Sequence, residues 1–124
     1  MEVEFFKTTR GDSPVENYIE GLDDKKHTKK IIKELEQLEE YGLLRLLQTH
    51  DAKKFKYCKN LYQLTVIWKK VGSRMLFSVF NNEAWILHAF TKKTNETPRN
   101  EIKIALNRKK ILMKELNLRN KKLK

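Results

Sequence analysis

The chain has 124 residues, 40% hydrophobic and 35% charged, with a formal net charge of +11. That length suits one domain around one core, and the lone Cys58 excludes an internal disulfide, as in a reducing cytoplasm. No apolar run reaches about 18 residues, M-E-V-E-F-F does not read as a secretory leader, and His27, His50 and His88 stand apart, so neither a membrane span nor a metal or other cofactor is expected.

Residues 2–6 alternate weakly and read as a short first strand. In S-P-V-E, Ser13 suits an N-cap, Pro14 the first helical position and Glu16 a capping box, so a short helix starts there. A longer helix is predicted over residues 24–41. Ile31, Leu35 and Leu38 share one of its faces with Ile32 beside them, and Gly42 ends it. Lysines at its start and glutamates at its end oppose the helix dipole, so packing must hold it. Residues 43–52 read as a loop, and K-K-F-K-Y begins the sheet.

The period then becomes two. Tyr62, Leu64, Val66 and Trp68 form a core set, with Gln63 and Thr65 on the opposite face. Gly72 is the expected turn residue before the next strand. There Met75, Phe77 and Val79 face the core while Arg74 and Ser78 face away. Asn81-Asn82 tolerates the positive φ of a second turn. Residues 85–93 are apolar on both faces, and alternation groups His88 with Ile86 and Phe90. Thr97-Pro98 starts a last helix, whose buried stripe is expected to use Ile102, Ala105, Leu106, Leu112, Met113 and Leu116. The order is β-α-α-β-β-β-α. It describes an α+β domain with two N-terminal helices and a C-terminal helix against one face of a small antiparallel sheet. The domain is expected over residues 1–117, with 118–124 a basic, fraying tail.

Charge is unevenly placed along this order. Residues 1–42 hold 7 Lys/Arg against 11 Asp/Glu, residues 43–93 hold 10 against 2, and residues 98–124 again hold 10 against 2. A basic second half is the footprint of a nucleic-acid partner, although an acidic protein or a solubilising tail uses the same charge. Lys53, Lys54 and Lys56 interleave with Phe55 and Tyr57, a pattern that suits base stacking and backbone tracking but also occurs at ordinary sheet edges. Arg74 suits a phosphorane because its planar fork meets phosphate oxygens in pairs. His88 has the residue type for proton transfer, and alternation equally fits a buried core histidine. Lys92 and Lys93 end a strand, so alternation sends them to opposite faces.

The segments L-Y-Q-L, R-M-L-F, L-H-A-F-T-K-K-T and T-P-R-N-E-I, in this order, resemble the RelE/HigB toxins of bacterial toxin–antitoxin modules, specifically the phage-derived Gp49-like branch. The resemblance covers nearly the whole chain. It implies a cytoplasmic, ribosome-associated mRNA endonuclease that works without a metal and is neutralised by a helix-turn-helix antitoxin. The residues it matches, Arg74, His88, Lys92 and Lys93, are the expected catalytic set, and Lys53, Lys54, Lys56, Gln63 and Arg99 are the expected RNA contacts. The chain departs from the branch where L-Y-E-L-R is usual, because Gln63 and Thr65 replace the glutamate and arginine. Two alternatives therefore stand beside the endonuclease. One is a weakened or inactive RNA- or antitoxin-binding protein, the other a gyrase-targeting toxin of the same fold.

Overall fold

The computed structural model describes residues 1–123, with side chains described through residue 117. Four residues form the first strand, β1 (Glu2–Phe5), and two helices follow, α1 (Pro14–Glu20) and α2 (Lys25–Gln48). The remaining strands are β2 (Ala52–Lys54), β3 (Tyr62–Trp68), β4 (Val71–Phe80) and β5 (Glu83–Lys92), and α3 (Arg99–Leu123) closes the order. Ser13 Oγ accepts from the Glu16 N–H at 3.4 Å and caps α1, while Asp24 caps α2 by accepting from the Lys26 N–H at 2.9 Å.

Gly42, with φ 82° and ψ 171°, breaks α2 as expected, but the chain resumes the helix beyond it and buries Leu46. Residues 43–48 are therefore helical rather than loop. The backbone of residues 118–123, expected as a fraying tail, continues α3 as helix, while the side chains of the tail and all of Lys124 lie outside the described residues.

All five strands form one sheet in the order β1-β5-β4-β3-β2. The ladders from β2 to β5 are antiparallel, whereas β1 runs parallel to β5, so the sheet is mixed. Helices α1 and α2 cover one face, where Ile31, Leu35 and Leu38 pack with Leu64, Met75 and Phe77. On the opposite face α3 brings Ala105 and Leu112 against Leu61, Leu76 and Leu87. This corrects the expectation that every helix lies on one face. Met113 is 44% exposed and leaves the stripe of α3. Cross-strand packing supplies both layers with their cores, because a strand buries alternate side chains on opposite faces.

Two details of the sheet position the basic residues. Asn81 and Asn82 both have positive φ at the β4–β5 turn, as two-residue hairpins require. At the β3–β4 turn the positive φ belongs to Lys69, not Gly72, which instead lies within β4 opposite Lys92. A Cβ at position 72 would meet Lys92 Cβ and Cδ at 3.3 Å, so glycine lets that lysine lie close across the strand.

Candidate nucleic-acid interface

Residues 67, 72 and 92 sit side by side on neighbouring strands, because Ile67 pairs with Gly72 and Gly72 with Lys92. They floor a cleft of about 230 Å³ at one end of the sheet, between the β3–β4 turn and the loop that follows β5. Lys70 enters from the turn and Lys92 and Lys93 from the other side, with Thr94 and Asn95 completing the wall and no acidic residue lining it. β5 ends at Lys92. Lys93 is thereby freed from strand alternation, and both lysines reach one cleft instead of opposite faces. Three ammonium groups around a small opening are suited to an anion that carries more than one oxygen.

Directly behind this wall lies Arg74, only 3% exposed. Its Nη2 donates to the main-chain oxygen of Asn95 at 2.5 Å and its Nη1 to Thr97 Oγ1 at 3.3 Å. Thr97 Oγ1 donates in turn to Gln63 Oε1 at 2.5 Å, and Gln63 Nε2 donates to Thr65 Oγ1 at 3.3 Å. Arg74 Nε is buried with no partner, and none of the ion pairs among the described residues includes this side chain. Burial moves its pKa below the ordinary arginine value, yet a guanidinium keeps its proton. Gln63, read from the sequence as an exposed RNA contact, is 4% exposed beneath Thr97 and belongs to this internal network.

The cleft does not include His88. A register shift sets Leu76 opposite His88 and Phe77 opposite Ile86, so Leu87 is an extra residue and alternation is interrupted there. His88 consequently faces α3 beside Phe90, at a ring separation of 5.4 Å, while Ile86 packs in the layer under α1 and α2. Arg108 Nη1 lies 3.2 Å from His88 Nδ1, and His88 Nε2 meets Glu101. A guanidinium only donates, so Nδ1 is the accepting nitrogen and the proton sits on Nε2, shared with the carboxylate. Burial, the largest influence, holds the His88 pKa below the ordinary histidine value against the pull of Glu101. This arrangement anchors α3 to β5. It does not offer an accessible acid or base in the cleft.

Lys53, Lys54 and Lys56 are exposed on and beyond β2, and Arg99 is exposed at the start of α3. Lys53 lies opposite Gln63 across the ladder, and its Nζ is 5.7 Å from the Phe55 ring. None of the four lines the lysine cleft. Sequence reasoning passed over Lys70, Asn95 and Thr97. The Lys69-Lys70 doublet two residues before Gly72 was the available signal for the first. It also passed over a polar link beneath the N-terminal helices, where Ser73 Oγ lies 2.9 Å from His27 Nε2 and Tyr18 OH joins Ser73 and Thr91 at 2.8 Å each. Ser73 is fully buried, and this serine–histidine pair ties α1, α2 and the sheet together.

The family model described as phage derived protein Gp49-like matches residues 17–110, from within α1 to well into α3 and including the entire lysine cleft. The chain belongs to the Gp49-like family. No curated protein matches it. The Gp49-like family is a phage-derived group of RelE/ParE-like toxins associated with toxin–antitoxin modules, which supports a toxin role and an antitoxin partner. Among the described residues no helix is long and apolar enough to cross a membrane.

Proposed function

We propose that this protein is the toxin of a toxin–antitoxin pair and acts as an mRNA endonuclease on translating ribosomes in the cytoplasm. One observation carries the reading, the acid-free cleft in which Lys70, Lys92 and Lys93 converge in front of a buried arginine. Strand scission of this kind joins the 2′-oxygen to the adjacent phosphorus and breaks the bond to the 5′-oxygen. The products are a 2′,3′-cyclic phosphate and a free 5′-hydroxyl. The 2′-hydroxyl gives up a proton, the departing oxygen takes one, and the pentacovalent phosphorus carries extra negative charge. Clustered ammonium groups stabilise that charge. Arg74 donates its fork to the phosphate oxygens only when the loop of residues 93–98 withdraws, because Asn95 and Thr97 occupy both of its terminal nitrogens. Lys53, Lys54, Lys56 and Arg99 guide the RNA from outside the cleft, and a helix-turn-helix antitoxin opposes the activity.

The sequestered Arg74, together with Gln63 and Thr65 in place of an acid and an arginine, also supports a second reading, a binder of RNA or antitoxin without cleavage. Induced expression in bacteria separates the two. For the endonuclease, growth stops and mRNA is cut, and Lys92→Ala with Lys93→Ala lowers cleavage by about 10²–10³-fold for each stabilising donor removed. Growth without arrest favours the inactive binder, and arrest with broken DNA and intact mRNA overturns both in favour of gyrase.

A further inference from the structure

The connection between β2 and β3 lies at the opposite end of the sheet from the lysine cleft. Lys54 pairs with Tyr62 at the start of β3, whereas the cleft uses Ile67 near its end. At about 3.3 Å per residue the two places are about 17 Å apart along the strand. The two aromatic residues of this connection have separate fates. Phe55 is half-buried against the Leu61, Leu76 and Leu87 core, and its N–H donates to the Leu61 oxygen at 2.9 Å. Tyr57 is 91% exposed, the highest value among the exposed large hydrophobic side chains.

This exposure is not that of a loose loop. Asn60 Nδ2 donates to the Val79 oxygen and the Val79 N–H donates back to Asn60 Oδ1, both at 2.9 Å. Lys109 of α3 donates to the Lys59 oxygen. A connection tied to both β4 and α3 therefore holds an aromatic ring out in water. Lys54, Lys56 and Lys59 are exposed close to it in the chain, with Lys56 Nζ 5.9 Å from the ring centroid, and no acidic residue occurs between residues 52 and 82. A single exposed ring among cations, with Phe55 and Cys58 of the same loop packed against the core, is a poor anchor for a protein partner and a good one for a flat, anionic ligand.

We propose that Tyr57 is a base-stacking platform, on which one unpaired nucleobase of an RNA lies while Lys54, Lys56 and Lys59 take the flanking phosphates. The proposal rests on the reading of this chain as an RNA-directed toxin, but not on its ability to cleave. Messenger RNA and an unpaired loop of ribosomal RNA offer the same chemistry. Binding is measured with a single-stranded 2′-O-methyl RNA, which lacks the attacking hydroxyl, with a duplex of the same sequence, and with ribosomes stripped of mRNA.

Tyr57→Ala is expected to weaken binding by roughly five-fold or more, while Tyr57→Trp retains it. The slope of affinity against salt should stay unchanged in Tyr57→Ala and fall in Lys54→Ala with Lys56→Ala, since stacking releases no counterions. Loss with the oligonucleotide assigns the platform to mRNA, and loss confined to vacant ribosomes assigns it to ribosomal RNA. Wild-type affinity of Tyr57→Ala for both, an equal loss on the duplex, or no RNA binding by the wild type overturns the proposal. Intact 2′-hydroxyl RNA that is bound through Tyr57 and never cut sinks the endonuclease and leaves the platform standing.

Discussion

Arg74 is a cation removed from water without a carboxylate to meet it, and that is costly unless every N–H finds an acceptor. Two of its nitrogens do, in Asn95 and Thr97, and Nε does not. Hydrogen bonds from a charged donor are worth about 1.5–3 kcal/mol each, so Arg74 is the chief fastener of residues 93–98. Arg74→Ala is expected to lower stability by about that amount and to speed tryptic cutting after Lys92 and Lys93 several-fold. An unchanged cutting rate would show that other contacts hold the loop. The residue was legible in the sequence as facing away from the α1–α2 layer, but its burial was not. The loop that covers it contributes Thr97, whose hydroxyl contact with Gln63 no spacing rule announces.

At the scale of elements, the order of strands and helices and the Asn81-Asn82 turn were readable because each depends on local chemistry. Pairing partners are not local. Alternation says which side chains share a face of a strand, yet it is silent on what covers that face. It also fails where Leu87 adds a residue to β5, which is how His88 left Ile86 for Phe90 and α3. The same limit applies to Gly42, which read as a stop and is instead a hinge between two helical pieces. Its φ of 82° with ψ of 171° is a glycine conformation, and a Cβ there would meet nothing within 4 Å. Gly42→Ala should therefore act through backbone strain alone, lowering stability by about 1–3 kcal/mol in urea unfolding without disturbing its neighbours. A neutral result would mean that residues 43–48 shift to relieve the strain.

Over the whole molecule, one histidine sits in each layer, His27 buried and His88 partly buried. His27 lies under the N-terminal helices with Asp24 and Lys30 nearby, and His88 lies under α3 between Glu101 and Arg108. Burial lowers both pKa values, so the unfolded chain takes up protons before the folded one does. Stability is thus fully present above about pH 6.5 and declines as the pH falls toward the folded-state values. Glu34, raised by burial and by Asp51, works in the opposite direction and is common to any pair of variants compared. The urea midpoint should be higher at about pH 7.5 than at about pH 5.5, and a His27→Gln, His88→Gln double variant should flatten that difference. An equal difference in both proteins would assign it to other groups.

The parallel pairing of β1 with β5 joins residues 2–5 to residues 83–86. During synthesis the first strand therefore has no strand to pair with until the chain has been made past residue 86 and has cleared the exit tunnel. Non-local pairing of this kind is also the slow part of folding. Lys92 and Lys93 follow a few residues later, so the cleft is among the last parts to be completed. A truncated product ending before β5 has neither a closed sheet nor the lysine pair. An interrupted round of synthesis consequently leaves fragments without the lysine cleft, which arrives only once β5 and the loop after it have been made.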